Sequence, residues 1–301
     1  MAAHIVDVNN LSRRFGLKDA LDDVSLQASE GRVYGLVGAN GAGKTTLLKH
    51  LLGLLRATTG SVRVFGLDPV RDPVGVLSRV GYLSEERELP EWMRIDELMR
   101  YTQAYHPTWD GSYARELLES FGLDPSKKVK ELSRGMRAQA GLIAAVAHRP
   151  ELLILDEPSS GLDAVVRRDI LDAIVRTVAD DGRTVIFSSH LLEEVERMSD
   201  DVTMLHDGRV TLSGALDEVC RGYQRSRVRF VEHFDHAPVL DTALVIEGGG
   251  RTWSVVHCGP FEQFRHSVLA LGGEVVESRD ATLEEIFLAR AGRSRQPVEA
   301  A

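Results

Sequence analysis

The chain has 301 residues and a formal net charge of -9 at pH 7. This length allows one sizeable α/β domain and a smaller one, and the negative charge argues against a general nucleic-acid binder. The two cysteines, Cys220 and Cys258, are far apart, which predicts neither a disulfide framework nor a zinc site. With no signal-peptide core and no run of about eighteen apolar residues, we expect a reducing setting and no membrane span in this chain.

A glycine-rich loop follows the apolar stretch from Val33 to Val37, which is predicted to be a strand. Residues 38–45 read Gly-Ala-Asn-Gly-Ala-Gly-Lys-Thr and match the GxxxxGKT phosphate-binding loop. The glycines let backbone N–H groups point at phosphates, and a helix predicted to begin near Lys44 adds the positive end of its dipole. We expect Lys44 to reach the β- and γ-phosphates and Thr45 to ligate Mg²⁺. The predicted nucleotide contacts of the loop are Gly38, Asn40, Gly41, Gly43, Lys44, Thr45 and Thr46. A plain glycine-rich turn is the disfavoured alternative, because every fixed position is matched.

The region from about Glu85 to Ala147 changes to helical spacing of apolar residues. The predicted apolar positions are Leu98, Met99, Tyr101, Leu117, Leu118 and Phe121. Residues 106–110 interrupt this pattern, and Pro107 predicts a turn there.

A second strong signal is the run Leu152 to Leu155, followed by Asp156 and Glu157. Four aliphatic residues predict a strand buried on both faces, with its carboxylates at the carboxyl end, where α/β sheets bind ligands. We expect Asp156 to hold Mg²⁺, and Glu157 to act as the general base for attack of water on the γ-phosphate. By itself such a segment is equally consistent with an ordinary acidic strand end. The phosphate-binding loop favours the metal site.

Three further motifs identify a family. Residues 132–136, Leu-Ser-Arg-Gly-Met, resemble the LSGGQ signature of ATP-binding-cassette (ABC) ATPases. Residues 161–163, Gly-Leu-Asp, resemble the D-loop of that family, and residues 188–190, Ser-Ser-His, resemble its switch histidine. All motifs occur in family order over about residues 4–220. The resemblance implies an α/β P-loop ABC cassette with a mixed sheet core and a helical subdomain at about residues 85–147.

In this family two cassettes pack head to tail, and each ATP lies between the phosphate-binding loop of one and the signature of the other. The resemblance therefore implies that Ser133 and the Gly135 N–H contact a γ-phosphate held by a second cassette, either a copy of this chain or a paralogue. It also implies that Asp163 crosses the interface and that His190 helps order the attacking water.

Two positions follow the family pattern less closely. Cassettes commonly stack adenine on an aromatic residue placed as Phe15 is, although a core aromatic in an edge hairpin is an equal alternative. At Glu85 the family usually has a glutamine that touches Mg²⁺ and the lytic water. A carboxylate there can still ligate the metal or accept from water, so we expect catalysis to be retained.

The resemblance implies a polytopic membrane permease as partner and a peripheral location at the cytoplasmic face of the plasma membrane. Trp92 and Trp109 are candidates for a groove that receives a permease helix, or for the core of the helical subdomain. Two rival functions are a soluble regulatory or assembly ATPase without a permease, and a small-molecule kinase. The kinase alternative has no use for a signature or for His190.

After about residue 220 the nucleotide motifs end, and residues 221–290 predict a small accessory α+β domain. Strands are predicted at 227–232, 243–247 and 252–258, the last two joined by a hairpin at Gly248-Gly249-Gly250. A helix at 260–271, a strand at 274–277 and a helix capped by Thr282 follow. This tail resembles that of bacterial ABC type 2 exporters of drugs and antibiotics. Residues 291–301 are predicted to be a disordered end.

Overall fold

A computed structural model describes residues 4–293, with the side chains of 177–181 and 291–293 left aside. The chain divides into two compact units between Leu212 and Ser213, a boundary that falls within the last strand of the central sheet of the first unit. Within the described residues, no helix is both long and apolar enough to cross a membrane.

A six-stranded sheet forms the centre of the first unit. Its strands are β3 (Val33–Val37), β5 (Val80–Leu83), β6 (Leu152–Asp156), β7 (Thr184–Ser189), β8 (Asp201–His206) and β9 (Arg209–Ala215), in the order β5-β6-β7-β3-β8-β9. The first five strands of that order pair in parallel. Every residue of β3, β6 and β7 is buried, because helices cover both faces of such a sheet. Parallel pairing brings the carboxyl ends of these three strands to one edge.

A three-stranded antiparallel sheet of order β2-β1-β4 completes the unit. Its strands are β1 (His4–Phe15), β2 (Lys18–Ser29) and β4 (Thr59–Val64). Alternate residues of β1 and β2, such as Val8 and Leu26, point into one core together with Leu47 and Ile154. The short turn between β1 and β2 holds Phe15 at the end of its strand.

Seven helices of the described chain lie in the first unit. They are α1 (Lys44–Leu51), α2 (Pro73–Leu77), α3 (Ile95–Gln103), α4 (Gly111–Ser120), α5 (Arg134–Val146), α6 (Ala164–Asp181) and α7 (Leu192–Met198). The predicted helical region contains α3, α4 and α5, and its chain breaks at Pro107 as expected. Leu98 and Leu117 are buried there, but Tyr101 is half-exposed and pairs edge-on with exposed Tyr105.

The second unit contains a sheet of order β11-β10-β12. Its elements are α8 (Leu216–Arg221), β10 (Tyr223–Phe234), β11 (Ala243–Cys258), α9 (Phe261–Ala270), β12 (Gly273–Asp280) and α10 (Leu283–Arg293). Val228, Phe230, Trp253, Phe264 and Val268 form a separate core. The predicted cap of α10 is present, since Thr282 Oγ1 accepts from the Glu285 N–H at 3.3 Å.

The hairpin predicted at Gly248 to Gly250 is confirmed within β11. The Cys258 N–H donates to the Thr242 oxygen at 3.1 Å, and a Cβ at Gly248 would lie 2.6 Å from the Thr252 oxygen, so the chain folds back on itself between these residues. Gly248 and Gly250 take positive φ angles of 142° and 64° at this reversal. One expectation for this unit is wrong. The predicted disordered end does not begin at residue 291, because α10 continues to Arg293. Residues 294–301 lie outside the described residues.

Candidate functional site

The phosphate-binding loop connects β3 to α1 and requires glycine for steric reasons. A Cβ at Gly43, where φ is 111°, would lie 2.6 Å from the Ala20 carbonyl oxygen. A Cβ at Gly38 would lie 2.5 Å from the Leu205 oxygen. Gly43 also leaves the N-terminus of α1 without a side-chain cap. The first N–H groups of α1 therefore remain available to an anion, which fits the site to a phosphate chain.

Lys44 is buried although it carries a charge. Its Nζ donates to the Gly38 oxygen at 2.6 Å and lies 3.1 Å from Glu157 Oε1. The Lys44–Glu157 contact is an ion pair without hydrogen-bond geometry, since Oε1 has no hydrogen-bond partner. Nζ also donates to the Ala39 oxygen at 3.5 Å, which leaves one of its three donors without a hydrogen bond. This ammonium faces the cradle of glycine N–H groups, and both features favour a phosphate ligand.

Glu157 follows β6 directly, and its φ of 48° turns the chain sharply at that point. This turn directs the carboxylate away from solvent, so that it is only 4% exposed. Its Oε2 lies 2.6 Å from Nδ1 of His190, which follows β7. The predicted base and the predicted switch histidine are therefore in direct contact.

Asp156 is held by Ser188 on the neighbouring strand. Ser188 Oγ donates to Asp156 Oδ1 at 2.6 Å and accepts from the Glu157 N–H at 2.9 Å. One hydroxyl thus orients both consecutive acids. Ser188 was not predicted as a site residue, and the register that pairs it with Asp156 is what identifies it.

A cavity of about 490 Å³ opens over the phosphate-binding loop. Its lining includes nine predicted residues, namely Phe15, Asn40, Gly41, Gly43, Lys44, Thr45, Thr46, Glu85 and Glu157. Phe15 is 46% exposed, so the core-aromatic alternative is wrong, and the Arg13 guanidinium lies 4.7 Å from its ring. Lys18 also lines the cavity. No sequence signal marked Lys18, since a lysine at a hairpin end is usually only a solvated charge.

Three predicted residues lie elsewhere in the first unit. Ser133 is exposed and caps α5, its Oγ accepting from the Met136 N–H at 3.2 Å, and Gly135 is buried one residue into that helix. Asp163 is exposed and caps α6 by accepting from the N–H groups of Val165 and Val166. None of the three lines the cavity over the phosphate-binding loop. Two helix N-termini thus present a separate polar surface.

The residues at the site suit a magnesium nucleotide better than a metal held by protein alone. Among the described residues, no group of three or more His, Cys, Asp or Glu side chains could hold a metal ion. Mg²⁺ takes oxygen ligands and usually combines one or two protein groups with phosphates and waters. Thr45 and Asp156 provide a hydroxyl and a carboxylate at this edge of the sheet.

The fold and the site define a class, the P-loop nucleotide-hydrolysing cassettes. Residues 21–160 match the protein-family model described as "ABC transporter". The chain is 33% identical over 317 residues to the daunorubicin resistance ATP-binding protein DrrA3 of Streptomyces coeruleorubidus, with both chains fully covered. It is 29% identical to the ABC transporter ATP-binding protein YtrB of Bacillus subtilis, over 97% of this chain and all of that protein.

A solved structure of an ATP-binding subunit of an ABC transporter has the same fold. It superposes with a TM-score of 0.67 and 29% identity, over 72% of this chain and 92% of that chain. The protein therefore belongs to the ABC transporter family of ATP-binding proteins. It is an ATP-binding and ATP-hydrolysing transporter subunit, and the predicted cassette fold is confirmed.

Proposed function

We infer that two copies of this chain bind Mg-ATP head to tail and hydrolyse it to drive export by a separate polytopic membrane partner. One observation carries the proposal. Lys44, Glu157 and His190 meet beside the phosphate-binding loop, whereas Ser133 and Asp163 are exposed at other helix N-termini. One chain holds both halves of a site but does not bring them together, and a second copy supplies the missing half.

Each half has a distinct task in this proposal. Phe15 stacks on adenine, the loop N–H groups and Lys44 bind the phosphates, and Thr45, Asp156 and Glu85 hold Mg²⁺. The metal, when bound, offsets the charge of the phosphates.

Glu157 accepts the proton of the attacking water. His190 holds the carboxylate in place through its hydrogen bond with Glu157 Oε2. Ser133 and the Gly135 N–H contact the γ-phosphate in the second copy, and Asp163 lies at the same interface. The ion pair between Lys44 and Glu157 has to break, because Lys44 must bind the phosphates and Glu157 must accept a proton from water.

The relatives support the proposed direction of transport, and a surface groove supports the proposed membrane partner. The protein DrrA3, similar over its full length, is named for daunorubicin resistance, which supports export. A cavity of about 740 Å³ lined by Leu54, Val74, Leu77 and Tyr105 suits an apolar permease segment. Trp92 is 70% exposed and neither it nor Trp109 lines this cavity. We place the subunit at the cytoplasmic face of the plasma membrane, through its permease, without a nucleic-acid partner.

We further propose that residues 4–220 form the ATPase domain and that residues 221–290, which make up most of the second unit, form an accessory domain. Its separate core supports this division.

The test is ATP-dependent dimerisation of the full chain, followed by light scattering. Glu157→Gln should slow hydrolysis and leave a stable dimer with Mg-ATP but not with ADP. Lys44→Ala in the same background should remain monomeric. A Glu157→Gln chain that stays monomeric at saturating Mg-ATP would count against the two-copy site.

The membrane partner needs a separate test. Native purification from membranes should recover the chain with a polytopic subunit. Recovery of the chain only as a soluble complex would instead favour a regulatory or assembly ATPase.

A further inference from the structure

Arg134 stands between the two motifs that the proposed second copy would meet. It is the first residue of α5, directly after Ser133, and it is exposed. Its guanidinium lies against the backbone of Gly161, since a Cβ at Gly161 would overlap it. Arg134 therefore bridges the signature segment and the D-loop segment on one surface.

The position of Arg134 is electrostatically unfavourable within a single chain. The N-terminus of a helix carries partial positive charge, so a cation there is destabilising. The first turn of α5 contains no acidic residue. Arg134 has no ion pair with any side chain that the structure describes, whereas Arg137 in the next turn pairs with Glu91 at 2.9 Å. None of the described carboxylates thus lies within ion-pair distance of Arg134.

A second arginine increases the positive charge at this place. Arg87 is 4% exposed, and its Nη2 donates to the oxygens of Pro158 and Ser160 at 3.1 and 2.9 Å. Its Nε and Nη1 are buried and have no hydrogen-bond partner in the described part of the chain. Burial lowers the pKa of Arg87, and the charge of Arg134 lowers it further, while the charge of Glu85 acts in the opposite direction and offsets only part of this shift.

Both arginines line one cavity of about 570 Å³. The other lining residues are Glu85, Glu86, Leu132 and Arg137. Neither Glu85 nor Glu86 forms an ion pair with Arg87 or Arg134 among the described contacts. The cavity therefore combines the guanidinium of Arg134, which has no ion pair among the described side chains, with the buried guanidinium of Arg87 and the N-terminus of α5. Together these groups fit an anion with several oxygens.

We propose that Arg134 donates to the γ-phosphate of the ATP bound by the second copy, with Arg87 as a buried cation behind it. This inference rests on the proposed head-to-tail dimer. Arg134 is then a specificity residue for the triphosphate, because ADP lacks the group that it contacts. The phosphate provides the counterion that the single chain does not have.

The experiment uses the full chain carrying Glu157→Gln and measures the Mg-ATP concentration that gives half-maximal dimerisation. Adding Arg134→Ala should raise that concentration by roughly tenfold or more, as expected for loss of a charge-assisted hydrogen bond. Arg134→Lys should restore part of the effect. Arg115→Ala, which removes an exposed arginine of α4, is the matched control and should change nothing.

Two further readouts separate this role from a structural one. Arg134→Ala should leave the affinity of the monomer for ATP unchanged, and it should not lower the Tm of the chain without nucleotide, because it removes a cation from a helix N-terminus. A parent variant that fails to dimerise overturns the proposed function, and this inference with it. A parent that dimerises, with Arg134→Ala dimerising at the same ATP concentration, overturns this inference alone.

Discussion

The two compact units treat charged side chains differently. In the first unit, Lys44 and Glu157 are buried as an ion pair beside an open cavity, and Arg134 has no counterion among the described residues. In the second unit, Glu285 accepts from both Arg225 and Arg279 at 2.6 Å. Charges that lack a complete set of partners mark the place where a ligand completes them, whereas fully paired charges mark a scaffold.

The largest effect is expected from removing the general base of the first unit. Glu157→Gln removes the proton acceptor but keeps the size of the side chain, so the hydrolysis rate should fall by roughly 10² to 10⁴-fold. Steady-state release of phosphate from ATP measures it. The control is Glu193→Gln, which replaces an exposed residue of α7 and should hydrolyse ATP normally. Unimpaired turnover by Glu157→Gln would refute its role as base.

The second prediction concerns binding. Lys44→Ala removes a buried ammonium from the phosphate-binding loop and should weaken ATP binding by roughly 10- to 100-fold, the value of a charge-assisted hydrogen bond. Titration calorimetry with ATP measures the affinity. Lys49→Ala in the same helix leaves the cavity over the loop intact and serves as control. Equal affinity in Lys44→Ala and the wild type would contradict the assignment of the loop.

The third prediction tests the scaffold by pH. His257 in the second unit is fully buried, stacked on Phe264 and hydrogen-bonded to Ser226, and burial lowers its pKa to about 4. A lowered histidine pKa means that stability is present above the unfolded value of 6.5 and is lost as the pH falls towards 4. The second unit should therefore lose about 2 kcal/mol between pH 7 and pH 5.

This loss can be measured with Trp253, which is 5% exposed in the core of the second unit. The chain has three tryptophans, so replacing Trp92 and Trp109 by phenylalanine makes the fluorescence report on Trp253 alone. Urea unfolding is then followed at both pH values. His257→Gln keeps a polar group for Ser226 but cannot be protonated, and it should flatten the dependence. An unchanged pH dependence in that variant would exclude His257 as its cause.

The smallest effect is expected at Glu285. Burial by itself would raise the pKa of Glu285, but hydrogen bonds from Arg279, the Thr282 N–H and Arg225 outweigh burial and lower it to about 2. Glu285→Gln should destabilise the second unit by about 1 kcal/mol at neutral pH, since the neutral amide binds the two arginines less strongly. The same Trp253 measurement applies, with exposed Glu262→Gln as control. ATP hydrolysis should not change in Glu285→Gln. A loss of activity would show that the paired charges of the second unit serve catalysis as well as stability.

Much of the first unit was predictable because its motifs are local. The phosphate-binding loop, the strand before Asp156 and the turn at Pro107 each depend on a few adjacent residues. The hairpin at Gly248 to Gly250 was predictable for the same reason, because adjacent glycines by themselves favour a chain reversal. The exposure of Tyr101 was not predictable, because helical spacing places this residue on an apolar face but does not show which other residues cover it.

The sequence by itself determined the chemistry available to this protein: a loop that binds phosphates, two consecutive acids, a histidine and a capping serine. Tertiary structure decided which of these groups meet. Parallel pairing of β6 and β7 brings Ser188 to Asp156 and His190 to Glu157, residues more than thirty positions apart. The fold also leaves Arg134 without an ion pair among the described side chains, while Arg137 has one. Motifs report local geometry, but charge balance depends on residues distant in sequence, so only the folded chain shows where a charge still needs a ligand.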